Sequence, residues 1–340
     1  MTMEKTFIIA EMSANHNQHK EIAIETIKAA KKAGADAIKI QTYTSETMTI
    51  DCNKPDFILG KGLWEGDTYF QLYRKAYTPW EWHEEIFHVA KEEGLICFST
   101  PFDKTAVDFL EELGNPIYKI ASFEITDIPL MKYIATKNKP IILSTGIATM
   151  EDIQLALDTL RENGAKDITL LKCTSAYPAP IEDANLLTIL DMKQRFSVKV
   201  GLSDHTEGAT VPMAAVALGA EVVEKHFIID RSIGGPDSAF SMNAEEFAQM
   251  VQSVRNIEKS LGTVYYPTDI TKIKGREHSR SLYVAENIKA GEVITEKNVR
   301  CIRPGFGLHS KYLAQAIGKV AVRDLEKGER FSLEMIKLFE

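Results

Sequence analysis

Cysteine is scarce in this chain. Four residues in 340, Cys52, Cys97, Cys173 and Cys301, are spread so widely that no two form a close pair. That spacing excludes a disulfide-stapled scaffold or a cysteine-built zinc site, and the thiols are expected to be reduced in a cytoplasmic setting. Positive charge is not in excess either: 40 Lys and Arg against 48 Asp and Glu leave a formal net charge of −8. A general nucleic-acid binder carries a basic face, so no nucleic-acid partner is expected. A local basic pocket for a small anion stays open. No apolar run approaches the roughly 20 residues that cross a bilayer, so no membrane association is expected. The first residues also lack the basic stretch, apolar core and small-residue cleavage site of a secretory signal. Low-complexity segments are missing as well. What is present is ordinary for a soluble globular protein: 44% hydrophobic and 26% charged residues.

Short β-branched runs alternate with longer helix-patterned stretches, the mark of repeated strand–helix units. The strand candidates are Phe7–Ala10, Ala37–Gln41, Leu95–Ser99, Ile117–Ile120, Ile141–Ser144, Ile168–Lys172, Val198–Leu202 and Glu221–Glu224. Turns such as Lys32-Ala33-Gly34-Ala35-Asp36 close the intervening helices. Eight sequential parallel strands close most naturally into an α/β (β/α)8 TIM barrel, with a doubly wound open sheet as the alternative. The pattern breaks near Leu261–Lys274, which holds Gly262 and Pro267. The expected organisation is a barrel over residues 1–262, a linker over 263–278 and a small domain over 279–340.

Barrel chemistry collects at the carboxyl ends of strands. Those ends carry Glu11; Lys39 and Gln41; Thr100; Lys119, Ser122 and Glu124; Ser144; Lys172, Ser175 and Tyr177; Ser203 and His205; Glu224 and His226. Lysines neutralise a phosphate or carboxylate as point charges while hydroxyls add directed bonds, so Lys39, Lys119 and Lys172 among these hydroxyls suit a small phosphorylated acid. The bland reading is lysines reaching out to solvent. His205 and His226 end neighbouring strands and could share a divalent ion with open positions, Mn2+ or Mg2+ rather than structural zinc. The spacing equally allows ordinary hydrogen-bonded histidines. His16, His19, His83, His88, His278 and His309 read as surface or loop residues.

Assembled in order, these segments resemble the sialic acid synthase family. The matching stretches are Ile9–Asn17, Lys39–Thr42, Ser99–Phe102, Tyr118–Ser122, Ser144–Gly146, Cys173–Pro178, Gly201–Thr206 and Glu224–Phe227. The tail from Arg280-Ser281-Leu282 is similar to antifreeze-like (SAF) domains. The resemblance implies a metal-dependent condensation of phosphoenolpyruvate with an amino-sugar aldehyde. Lys39, Thr100, Lys119, Ser122, Ser144 and Ser203 would hold phosphoenolpyruvate. Glu11, Gln41, Tyr177 and Asp237 would address the sugar, with Ser175 among the binding residues. Glu11, Glu124 and Glu224 are the catalytic candidates, and His205 with His226 the metal ligands. The resemblance also implies a domain-swapped homodimer in which Arg280 of one subunit enters the other's barrel; read alone, Arg280 is a surface residue near a linker.

Within that family, Glu11–His16, Gly62–Gly66, Thr78–His83 and Arg303–His309 look like the pseudaminic acid branch more than the N-acetylneuraminate branch. All three tryptophans, Trp64, Trp80 and Trp82, fall between the second strand and its helix or at that helix. They either form an apolar lid over the barrel mouth or pack the helix against the barrel. A 6-deoxy, diacetamido sugar would offer methyls to such a lid.

Overall fold

The alternating pattern folds into a closed barrel in a computed structural model that describes residues 5–337. The eight strands are β1 (Phe7–Glu11), β2 (Ala37–Thr42), β3 (Ile96–Pro101), β4 (Tyr118–Ile120), β5 (Ile141–Ser144), β6 (Ile168–Cys173), β7 (Lys199–Asp204) and β8 (Val222–Ile228). They pair in parallel in chain order, and β1 also pairs with β8, so the sheet closes and the open-sheet alternative falls away. Each strand is followed by a covering helix, from Lys20–Lys32 after β1 to Ala244–Leu261 after β8. Helix starts follow local chemistry: Asp103 accepts from the amides of Thr105 and Ala106, and Thr149 with Asp152 and Asn243 with Glu246 form reciprocal caps. The two-residue strand β9 (Met242–Asn243) pairs with the far end of β8. Strand β8 runs four residues beyond its expected end, carrying His226 inside the strand.

The chain divides into two compact units, the first through Thr263 and the second from Val264. The stretch expected as a linker contains two single-turn helices, Ile270–Lys272 and Arg276–His278. The second unit pairs β10 (Ser281–Val284) antiparallel with β11 (Val299–Ile302) over its own core of Leu282, Val284, Ile294, Val299 and Phe331. Residues 1–4 and 338–340, at the outer ends of the two expected domains, lie outside the described residues. No helix among the described residues is long and apolar enough to cross a membrane.

Strand alternation decides what faces the barrel axis. One interior layer is apolar: Ile9, Ala37, Phe98, Ile142, Leu171 and Val222, with Phe7 and Ile117 against it. Strand β7 contributes Gly201 at this level, where an added Cβ would lie 2.4 Å from the Val222 carbonyl oxygen and 2.7 Å from Leu171 Cδ2. Only glycine fits. Two residues further along every strand comes Glu11, Lys39, Thr100, Lys119, Ser144, Cys173, Ser203 and Glu224, all buried. The floor is therefore oil, and the layer resting on it is charge and hydroxyl.

Candidate active site

A buried carboxylate next to a buried ammonium is tolerated only when the charges meet. Here they do. Lys39 Nζ lies 2.5 Å from Glu11 Oε2 and 3.6 Å from Glu224 Oε1, and donates to Thr100 Oγ1 at 3.2 Å. Lys119 Nζ donates to Ser144 Oγ at 2.7 Å and lies 3.8 Å from the same Glu224 oxygen. Ser203 donates to Glu224 Oε1 at 3.4 Å, leaving Oε2 buried without a partner. Gln41 Nε2 reaches Glu11 Oε1 at 3.1 Å and Ser13 Oγ at 2.9 Å.

Burial works to push Glu224 up, but Lys119 and Lys39 together hold its carboxyl below the usual range. Burial pulls the Lys119 ammonium down. For Lys39 the same pull is outweighed by Glu11 and Glu224, which hold it above its ordinary value. Two cations share this layer with two carboxylates, so an arriving anion would meet ammonium groups already stripped of water.

The third expected lysine is elsewhere. On β6 the inward positions belong to Leu171 and Cys173, so Lys172 points out of the barrel. Its Nζ donates to Cys173 O at 2.8 Å and Thr174 Oγ1 at 3.3 Å. Alternation around Leu171 was the signal that separates it from Lys39 and Lys119. Cys173, which in sequence is only one of four scattered thiols, takes the inward place, with Sγ 3.7 Å from both Ser175 Oγ and His205 Nδ1. Burial works to raise this thiol, but the His205 ring draws it down to about 7. Gly146 closes this side: its N–H donates to Ser122 Oγ at 3.0 Å, and a Cβ there would lie 2.1 Å from Ser175 Oγ.

One layer higher, His205 and His226 face each other with ring centroids 5.3 Å apart. Tyr177 covers His205 at 4.4 Å, Phe240 covers His226 at 4.9 Å, and Tyr177 and Phe240 meet at 5.1 Å. His205 Nδ1 sits 2.9 Å from the Thr174 carbonyl oxygen, so this nitrogen carries the hydrogen and Nε2 keeps its lone pair when the ring is neutral. His226 Nδ1 is buried without a hydrogen-bond partner, 4.0 Å from Asp237 Oδ2, and burial holds the ring well below the usual imidazole range. No group of three or more His, Cys, Asp or Glu side chains with metal-ligand spacing occurs among the described residues. Two imidazoles with an unsatisfied nitrogen fit a sparsely coordinated ion with open positions and do not fit a closed structural site.

Glu124 stands on the loop after β4 with Oε2 buried and unpartnered, and burial pushes its carboxyl up to about 7. Asp237 is buried, accepts from the Ala14 N–H at 3.3 Å, and is also raised by burial. Arg280 belongs to the second unit, where it is exposed and donates to Cys301 O at 3.4 Å.

The tryptophans split. Trp80 stacks on Phe109 at 4.8 Å and Trp82 meets the His16 ring edge-on at 5.4 Å, so both pack the helix against the barrel. Trp64 alone approaches the site, 6.0 Å from Tyr177, with its indole N–H donated to Pro236 O. His16 and His83, expected at the surface or in loops, are fully buried. His16 pairs with Thr78, and His83 bridges Thr42 and Pro79 O. Helical and loop periodicity cannot show that such rings find hydroxyl partners across strands.

Two family models match the chain: the NeuB family over residues 26–266 and the SAF domain over residues 279–337. A pseudaminic acid synthase of Campylobacter jejuni is 49% identical over 328 residues, covering 96% of each chain. A pseudaminic acid synthase of Helicobacter pylori is 44% identical over 331 residues, covering 97% of each. Among solved structures, N-acetylneuraminic acid (sialic acid) synthetase from Leptospira borgpetersenii matches with a TM-score of 0.71 and 32% identity, covering 79% of this chain and 89% of that one.

Proposed function

Because the chain belongs to the NeuB family and carries a SAF domain, we propose that it is a pseudaminic acid synthase, joining phosphoenolpyruvate, a 6-deoxy-diacetamido-altrose and water into pseudaminic acid and phosphate. The curated relatives that align over nearly its whole length carry that name. The observation that carries the chemistry is the buried layer in which Lys39 and Lys119 meet at Glu224, directly beneath the facing imidazoles.

Lys39, Lys119, Thr100, Ser122, Ser144 and Ser203 would hold the phosphate and carboxylate of phosphoenolpyruvate, the lysines by charge and the hydroxyls by direction. Carbon 3 then attacks the aldehyde carbon, and positive charge develops at carbon 2 beside the carboxylates. Water adds at carbon 2, and the tetrahedral intermediate releases phosphate. Glu224, kept ionised by two lysines, suits stabilising that positive charge and steering the water. Glu124, poised near neutrality, suits proton transfer. Gln41, Ser175, Tyr177 and Asp237 would face the sugar, with Glu11 in the layer below and joined to Gln41.

His205 and His226 would hold a divalent cation, Mn2+ or Mg2+, which when bound supplies Lewis acidity toward the sugar's carbonyl oxygen. The Thr174 carbonyl behind His205 fixes that ring by a hydrogen bond, while Asp237 adds a carboxylate near His226 without bonding to it. A cytoplasmic location suits the free cysteines, and a homodimer in which Arg280 completes the partner's site suits its exposed position in the second unit.

Phosphate release from phosphoenolpyruvate, measured with each candidate aminosugar before and after chelation, tests the reading. Turnover with the 6-deoxy-diacetamido-altrose, abolished by EDTA and restored by Mn2+, is expected. Turnover with N-acetylmannosamine alone would overturn the sugar, and activity indifferent to EDTA would overturn the two-histidine metal site.

A further inference from the structure

The β7–β8 ladder runs from Gly201 opposite Val222 to Asp204 opposite Lys225 and stops there. His205 is the first residue after β7 and His226 the next residue of β8, one step past the last rung. Backbone pairing between these strands therefore ends just before the two side chains whose separation matters most. At that last rung the outward-facing side chains form a buried ion pair: Lys225 Nζ is 2.5 Å from Asp204 Oδ2, and each side chain is 2% exposed. The same ammonium donates to Thr206 O at 2.5 Å, past His205 on the departing chain. Asp204 in turn accepts from Thr206 N at 3.2 Å and from Thr206 Oγ1 at 2.9 Å. The backbone on either side of His205 is thus tied to the residue preceding His226.

We propose that Asp204, Lys225 and Thr206 form a positioning clamp that sets the distance and orientation of the His205 and His226 rings. A pair this buried is weak evidence for a stabilising role: well-packed apolar residues of similar volume are commonly as stable or more so, because two ions must be stripped of water. What the ion pair supplies that apolar residues do not is a fixed direction. It holds strand to strand at the rung where the ladder ends, on the face opposite the imidazoles. Alternation makes this work, since Asp204 and Lys225 face outward and the two histidines inward. The metal side of this inference rests on the two-histidine reading; the ring geometry does not.

The test is a neutral pair, Asp204→Leu with Lys225→Met, in the full chain. It leaves no buried charge unpaired, so folding is expected and is checked by circular dichroism and thermal melting. Two readouts follow: ring nitrogen signals of histidine-labelled protein by NMR, and Mn2+ affinity by electron paramagnetic resonance. Shifted or broadened His205 and His226 signals are expected, with Mn2+ bound roughly 10- to 100-fold more weakly, the usual range for groups that orient ligands. Phosphoenolpyruvate affinity, which depends on the layer below, should change by less than about twofold. Should the double variant fail to fold, Thr206→Val removes only the hydroxyl bonds to Asp204 and should give the same changes at smaller size. A folded variant with native ring signals would overturn the clamp. Absence of Mn2+ uptake by the native protein would overturn the metal reading instead, and the ring signals would still decide the clamp.

Discussion

The site has two halves built on opposite principles. The lower one, Glu11, Lys39, Lys119 and Glu224, is a set of buried ionisable groups that pair with one another. The upper one, His205, His226, Tyr177 and Phe240, is a set of rings that touch through their faces and edges and leave His226 Nδ1 unsatisfied. In the lower half each group's protonation is held by its neighbour, so removing one charge strands another. In the upper half the rings are held by packing, by the Thr174 carbonyl and by the clamp behind them, so a lost ring contact loosens geometry and leaves the charge balance of the lower layer alone. A reaction that binds a partner with two anionic groups and a largely neutral sugar needs both kinds of wall.

That contrast can be broken from either side. A large loss in phosphoenolpyruvate use should follow Lys119→Ala, which removes a charge that only Lys39 can replace and leaves Glu224 short of a partner; kcat/KM for phosphoenolpyruvate should fall by about 10²–10³ in steady-state assays. His226→Ala should abolish EDTA-sensitive turnover while phosphoenolpyruvate affinity by calorimetry changes less than about threefold. If the two fall together, the halves are not separable. Glu124→Gln should erase the limb of the kcat/KM profile near pH 7, since its carboxyl sits at about 7 through burial. Tyr177→Phe keeps the ring over His205 and should raise KM for the sugar by less than about tenfold, with kcat for a saturated enzyme nearly unchanged. Lys172→Ala should do least, within about twofold of native kinetics, because that ammonium points out of the barrel.

Stability carries its own pH signature. His16 and His83 are held at about 4 in the fold by burial, against an ordinary value of 6.5. The unfolded chain therefore takes up protons first as pH falls. Their contribution is intact above pH 6.5 and is lost as pH drops toward 4, costing on the order of 3 kcal/mol for each ring. Denaturant melts at pH 7 and pH 4.5 should show the decline, and His83→Gln should cut it by about half.

Much of this was legible in the chain. The eight strands declared themselves by β-branched runs between helical stretches, and their ends named Glu11, Lys39, Lys119, Glu224, His205 and His226 before any coordinates. What stayed hidden was parity. Lys172 and Cys173 are adjacent, and which of them faces the axis depends on where β6 sits in the barrel's stagger. The same holds for Asp204 and Lys225, each one residue from a predicted histidine and facing the other way. Trp80 and Trp82 were hidden for a different reason. Aromatics beside a barrel mouth serve as lid or as packing, and only their partners, Phe109 and His16, decide it.

The closure of β1 onto β8 has a consequence for how the protein is made. Glu11 sits on the rung opposite His226, so residues from the two ends of the barrel unit stand side by side. During synthesis, Glu11 and Lys39 emerge early, well before the strand that carries Glu224. Glu224 arrives near the end and completes the balance of charge in the same step that seals the sheet. The strand that closes the barrel is thus also the one that completes the site, and a nascent chain halted before β8 would lack both.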